Sequence, residues 1–169
     1  MILPIEGDEA TGWKPGKPTV FLDTPFTEQE GMFSPDGRWL AYASNETGTS
    51  EIYVRPFPGP GGKWQVSTGG GNIPTWSPSR RELFYRALDG HLMVAGYSAQ
   101  DNSFRADRPR PVAETLTMVA RRQRSYTVHP DGERFAIAPA LEQTATRQDK
   151  VVFFFNFLDE LRRIAPAGR

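Results

Sequence analysis

Phe33-Ser34-Pro35-Asp36-Gly37-Arg38-Trp39-Leu40-Ala41-Tyr42 opens on a turn and runs into a strand. Pro presets the first φ, Asp bonds its own downstream backbone and Gly takes the left-handed position, so Ser34 to Gly37 reads as a hairpin turn. Trp39 and the residues after it suit a pleated, half-buried surface. The phrase returns in altered form as Trp76-Ser77-Pro78-Ser79-Arg80-Arg81 and as Val128-His129-Pro130-Asp131-Gly132-Glu133. Each copy is followed by an apolar run. Pro35, Pro78 and Pro130 stand 43 and 52 positions apart. Periods of about 20 to 50 residues mark solenoids, propellers and arrays, and a four-stranded propeller blade takes about 40 to 45.

Working outward, the first unit reads as strands over 31–34, 39–44, 51–55 and 63–67, with Asn45-Glu46-Thr47-Gly48 as a turn. Residues 56–62 cannot form a central strand, because Pro or Gly fills six of the seven positions. The second unit reads as strands over 73–76, 82–86 and 91–97, with Asp89-Gly90 a strong hairpin signal. A long polar connection over 98–111 leads to a weak fourth strand over 111–114. The third unit gives strands over 125–128, 134–138 and 151–155. Residues 156–164 carry apolar side chains at helical spacing, predicting a short C-terminal helix capped by Asn156 and ending before Pro166. At the other end, 2–5 and 18–22 look like the last two strands of a blade. The expected organisation is a single all-β domain over 1–169. It is a partial β-propeller of about three antiparallel blades plus a half blade: half blade 1–23, four-stranded blades 24–68 and 69–117, and a three-stranded blade with the helix over 118–169.

Composition sets the outer bounds. A chain of 169 residues, 38% hydrophobic and with a mean hydropathy of −0.52, suggests one soluble domain. Fifteen Pro and sixteen Gly imply many tight turns. With no Cys, disulfides and thiol chemistry are excluded. The N-terminus lacks the basic and apolar regions of a signal peptide. The longest apolar run, 151–155, is far short of the roughly 20 residues that span a bilayer, so no membrane insertion by this chain is expected. Compartment stays open. Net charge is zero, but residues 1–60 carry nine acids and four bases, so the remainder carries the balancing excess of bases. The opposite charges of the two halves favour head-to-tail contact between chains. Arg121-Arg122-Gln123-Arg124 reads as a solvated loop rather than a nucleic-acid surface, because no aromatics interleave with it as a stacking platform needs.

Motifs of catalysis are sparse. His91 opens a strand after Asp89-Gly90, and His129 fills the turn position held elsewhere by Ser34 and Ser77. Two His with no acidic cluster at ligand spacing make a poor metal site, so neither metal nor cofactor is expected. Ser125, His129 and Asp131 offer a Ser-His-Asp set on paper, but such triads are recognised by geometry. There is no Gly-x-Ser-x-Gly elbow and no kinase signature. Gly69-Gly70-Gly71 lacks the following Lys-Ser/Thr of a phosphate loop. Asn45-Glu46-Thr47 fits a glycosylation acceptor as well as a turn. Trp39, Trp64 and Trp76 read as packing residues rather than a sugar platform, and Asp36 and Asp131 as servants of their turns. No catalytic, cofactor-binding or metal residue is assigned.

The run from Phe33 to Val66 resembles the WD-repeat-like propeller units of the TolB type, whose hallmark is the Ser-Pro-Asp-Gly turn between the first two strands. Three stretches, Phe33 to Tyr42, Tyr53 to Trp64 and Asn156 to Leu161, are similar to the C-terminal end of bacterial propellers fused behind a Ser/Thr protein kinase domain and a membrane helix. The second copy departs from the pattern, since Ser79-Arg80-Arg81 has lost Asp-Gly and its turn must differ. The resemblance implies a non-catalytic binding or scaffold module for a protein, peptide or small ligand. The alternatives are the sensor portion of a receptor-type kinase, extracytoplasmic in that case and otherwise cytoplasmic, or a propeller hydrolase. Family members usually have six or more blades, and about three are present here. Fragment, truncated product and protomer of a larger ring are the options. One form of the last is a homodimer closing a six-bladed ring, with the N-terminal strands of one chain completing the last blade of the other.

Overall fold

The computed structural model describes residues 1–113 and 126–137. Every regular element among them is a β-strand. The 151–155 strand and the 156–164 helix lie outside the described residues.

The first large sheet has β3 (Glu28–Phe33), β4 (Trp39–Ser44), β5 (Glu51–Pro56) and β6 (Trp64–Gln65) in sequential antiparallel order. It descends from a hairpin arm, β1 (Ile5–Asp8) with β2 (Gly12–Pro15). The second sheet has β7 (Asn72–Trp76), β8 (Glu82–Arg86) and β9 (Leu92–Gln100), with β10 (Ser103–Ala106) and β11 (Arg110–Pro111) both paired to β9. The third is the pair β12 (Tyr126–Val128) and β13 (Phe135–Ile137).

Strand alternation decides how the sheets stack. In β4 and β5, Trp39, Ala41, Ala43, Ile52 and Val54 point to one face, where they meet Trp76, Leu83, Tyr85, Ala95 and Phe104 of the second sheet. The opposite face of the second sheet presents Ile73, Phe84, Leu92 and Val94 to Tyr126, Val128, Phe135 and Ile137 of the third. Three antiparallel sheets are therefore layered face to face in chain order. β4 and β8 are the buried cores of their sheets, each covered on both sides.

The repeated phrase closes the first hairpin of each layer in the same way. The amide N–H of Ser34, Ser77 and His129 donates to the carbonyl five residues on, at Trp39, Glu82 and Arg134, over 2.8, 2.9 and 2.8 Å. In the first copy Gly37, at φ 69°, donates to the Ser34 carbonyl. Asp36 accepts from the Ser34 hydroxyl and from the Arg38 amide. In the third, Asp131 accepts from the Glu133 and Arg134 amides. The second copy differs as its sequence requires. The Arg80 amide turns to the Ser77 hydroxyl, and Ser79 donates to the Asp131 carbonyl of the next layer.

Two sequence expectations are corrected. Residues 98–111 are not a polar connection: β9 runs on to Gln100, turns at Asp101-Asn102, and the chain returns along it as β10 and β11. The outer strand of this sheet is thus interrupted and begins earlier than the 111–114 reading. The reason is Phe104, whose side chain is buried against Trp39 and Trp64 and outweighs its polar neighbours. At the N-terminus, 2–5 and 18–22 do face each other, but only through the bridge between Ile2 and Thr19. The regular pairing lies further along the arm, in β1 and β2, around a turn that Asp8 nucleates by accepting from the Ala10 and Thr11 amides.

Candidate functional site: a cavity beside a bulged edge strand

The first strand of each large sheet carries a bulge at the same place in the repeat. β3 loses register between Gln29 and Met32, and β7 between Asn72 and Thr75. Within these bulges Glu30 and Ile73 adopt φ of 59° and 56°. Each stands five residues before its motif proline. A β-branched residue at positive φ is a genuine outlier, and such strain costs about 1–3 kcal/mol unless the surroundings over-determine it. Here they do. The Glu30 carboxylate accepts the Ile73 N–H, and the Ile73 carbonyl accepts the Tyr126 hydroxyl at 2.7 Å. The Trp76 indole N–H donates to the Met32 carbonyl at 2.9 Å. Side chains thus tie the leading strands of all three layers along one edge.

Beside the first bulge lies a cavity of about 610 Å³ between the N-terminal segment and the face of the first sheet turned away from the second. Leu40, Tyr42, Phe33 and Phe21 supply apolar walls, Glu28 supplies a carboxylate, and Glu30 borders the cavity with its own carboxylate accepting from the Ile73 N–H. Glu28 accepts a hydrogen bond from Thr24, and Arg55 donates to the Tyr42 hydroxyl at 3.1 Å. Burial pushes the Tyr42 phenol above its ordinary range; the Arg55 hydrogen bond opposes this, and the charges of Glu46 and Glu28 add to it. Aromatic and aliphatic walls with a carboxylate suit a ligand that couples an apolar body to a cationic group. Nothing in the sequence singled out Glu28 or Glu30, because isolated acids on an edge strand carry no spacing signature.

The residues raised from sequence fall elsewhere. His129 lies in its turn, with Nδ1 3.0 Å from an Asp131 oxygen and the Arg134 guanidinium against its ring. Hydrogen bonds hold the Asp131 carboxyl well below the usual carboxylate range, that from the Glu133 amide foremost. Ser125 lies outside the described residues. His91 sits 3.1 Å from Asp89 at the start of β9. Asn45 accepts from the Thr27 amide and closes its own turn with Gly48. Trp39 and Trp76 are buried, and Trp64 packs against the same core, as packing residues should. Among the described residues no three His, Asp or Glu side chains cluster to hold a metal ion, and no helix is long and apolar enough to cross a membrane.

Gly69-Gly70-Gly71 has a different occupant from the anion its backbone suggests. Gly69 and Gly70 stand at φ 91° and 104°, and both amides donate at 2.8 Å to one oxygen of Glu51. The other oxygen takes the Ser67 hydroxyl, whose own oxygen accepts the Ile52 amide. Glu51 is 5% exposed. The nest of backbone donors that binds phosphate in other proteins is filled here by the chain's own carboxylate. It locks the passage from the first layer to the second.

No protein-family model matches the chain, and no curated protein matches it. What the chain does is therefore read from its geometry.

Proposed function

We propose that this chain is part of a β-propeller of the WD-repeat-like, TolB type and serves as a non-catalytic binding module. The cavity beside β3 is the ligand site. It takes a peptide side chain or small molecule bearing a cationic group on an apolar body. The carrying observation is the pairing of apolar walls, Leu40, Tyr42 and Phe33, with the carboxylate of Glu28 in one cavity. The propeller reading draws support from the backbone hydrogen bond that the three motif turns share and from layers that follow chain order. Propellers repeat four-stranded sheets in that way around a central channel.

Heteronuclear NMR titration with short Lys- or Arg-containing peptides and with acidic counterparts tests this. Shifts of the β3 and β4 amides with the basic set alone, reduced several-fold in Glu28→Gln, are the expected result. Equal response to the acidic set, or none to either, overturns it.

The sensor portion of a bacterial receptor-type Ser/Thr kinase is the second reading, favoured by the similarity of Phe33 to Tyr42 and Tyr53 to Trp64 to that group. It gives the same cavity an extracytoplasmic ligand. A kinase domain and membrane helix encoded upstream in the same frame would support it.

A further inference from the structure

A second pocket, of about 280 Å³, opens where β5 ends and the Pro56 to Gly61 loop begins. Val20 and Phe21 form one wall, and Pro56, Pro58 and Pro60 form the other. Arg55 is the one charged side chain lining it among the described residues. The loop is built to hold this shape. A Cβ on Gly61 would stand 2.3 Å from Pro56 Cγ, so only glycine lets the chain fold back onto that ring. Gly59, at φ 88°, lies beside the Phe21 ring. Phe57 fastens the walls together. Its ring centroid is 5.7 Å from Phe21 and 4.7 Å from Phe33, and its amide donates to the Arg38 carbonyl at 2.8 Å.

Arg55 is partly buried, and its Nε donates to the Tyr42 hydroxyl at 3.1 Å. No carboxylate among the described residues forms an ion pair with it. Glu46 feels its charge but is bound by Lys63 instead. The neutral phenol thus holds the guanidinium in place without neutralising it. A charge drawn part way out of water calls for a partner of opposite sign. The guanidinium presents five N–H donors in a fixed fork that matches a carboxylate. Around it, the proline rings and Phe21 offer apolar surface that suits an organic body better than a hydrated inorganic anion. We propose that this pocket binds a small organic carboxylate, with the carboxylate on the Arg55 fork and the apolar body between Phe21 and the prolines. The cavity beside β3 calls for the opposite charge, although Phe21 lines both. The inference goes beyond the ligand reading and does not depend on it.

Benzoate is the probe, with benzamide as its neutral isostere and inorganic phosphate as an anion without an apolar body. Each is titrated into the full chain at fixed ionic strength and followed by heteronuclear NMR up to about 50 mM, well beyond a millimolar dissociation constant. Benzoate is expected to shift the Arg55 Nε–H resonance and the Phe21, Phe57 and Gly59 amides along one saturating curve. Benzamide and phosphate are expected to bind at least ~10-fold more weakly, the first for want of a charge-assisted hydrogen bond and the second for want of apolar contact. Arg55→Gln abolishes the benzoate response, while unchanged Trp39 and Phe104 resonances show that its fold is intact. No response to benzoate, or an equal response to benzamide or phosphate, overturns the inference, and these comparisons need only the wild-type chain. Benzoate binding that survives Arg55→Gln in a folded chain overturns it as well. The basic peptides read the cavity beside β3 separately, so failure of one reading is distinguishable from failure of the other.

Discussion

Phe104→Ala is the substitution that separates a filled interlayer core from a solvated connection. Phe104 is 2% exposed. Its ring centroid lies 5.2 Å from Tyr97, 5.3 Å from Trp39 and 6.1 Å from both Trp64 and Trp76, so it joins aromatic residues of two sheets. Truncating a buried Phe to Ala costs about 3–5 kcal/mol through lost transfer energy and the cavity left behind. The ring contacts, each worth about 0.5–1.5 kcal/mol beyond their area, place this site toward the upper part of that range. With a urea m-value of about 2 kcal/mol per molar for a domain of this size, a loss of about 4 kcal/mol lowers the midpoint by about 2 M. Urea unfolding followed by tryptophan emission is the assay, because Trp39, Trp64 and Trp76 surround the site. Leu88→Ala, at a residue 52% exposed, is the control and should stay within about 0.5 kcal/mol. A Phe104→Ala midpoint within error of that control would refute the reasoning and return 98–111 to a solvated connection.

Other consequences concern charge. Glu51→Ala leaves the Gly69 and Gly70 amides and the Ser67 hydroxyl without their shared acceptor, and charge-assisted hydrogen bonds of this kind contribute about 1.5–3 kcal/mol each. The variant should lose about 3 kcal/mol in thermal or urea melts, and a loss below about 0.5 kcal/mol would mean the nest is not occupied. Asp36 experiences a rise from burial that its hydrogen bonds from Ser34 and Arg38 more than offset, so its carboxyl lies below the ordinary aspartate range. A depressed native pKa gives stability that is present above the unfolded value and lost as pH falls through the native one. Stability should decline below about pH 4, with a shallower acid limb in Asp36→Asn. Burial, reinforced by the charges of Glu51 and Asp89, raises the Tyr85 phenol to about 12. Its contribution is complete below pH 10 and disappears as pH rises through the native value. Ultraviolet titration of the folded chain should show phenol ionisation continuing to about that pH, and full ionisation near pH 10 in a chain still folded would contradict the burial.

Much of the fold was legible because local and tertiary demands coincide. At 39–44 and 82–86, β-prone residues follow a turn whose Pro and small polar residue force the chain to reverse, and the strands fall where that pattern puts them. Reading failed where a single long-range contact outvoted composition. Ser103 and Arg105 flank Phe104 with polarity, and only the aromatic pocket built by Trp39 and Tyr97 reveals why that segment is a strand. The bulges at Glu30 and Ile73 were invisible for a related reason, since neither Gly nor Asn marks their positive φ and the stabilising partners come from neighbouring layers. Glu51 looked like an ordinary polar strand residue. Its role depends on a glycine-rich passage 18 and 19 residues further on. The cavity, assembled from the arm and two strands, has no compact motif at all.

The claim on which everything else stands is that the three repeats form successive layers in chain order. Aromatic nuclear Overhauser contacts test it most directly. The account predicts a contact between Phe84 and Phe135, whose ring centroids are 5.0 Å apart, and another between Trp39 and Phe104. It predicts none between Trp39 and Phe135, which lie on opposite sides of the second sheet. A spectrum that joins Trp39 to Phe135, or that lacks the Phe84 to Phe135 contact, would contradict it.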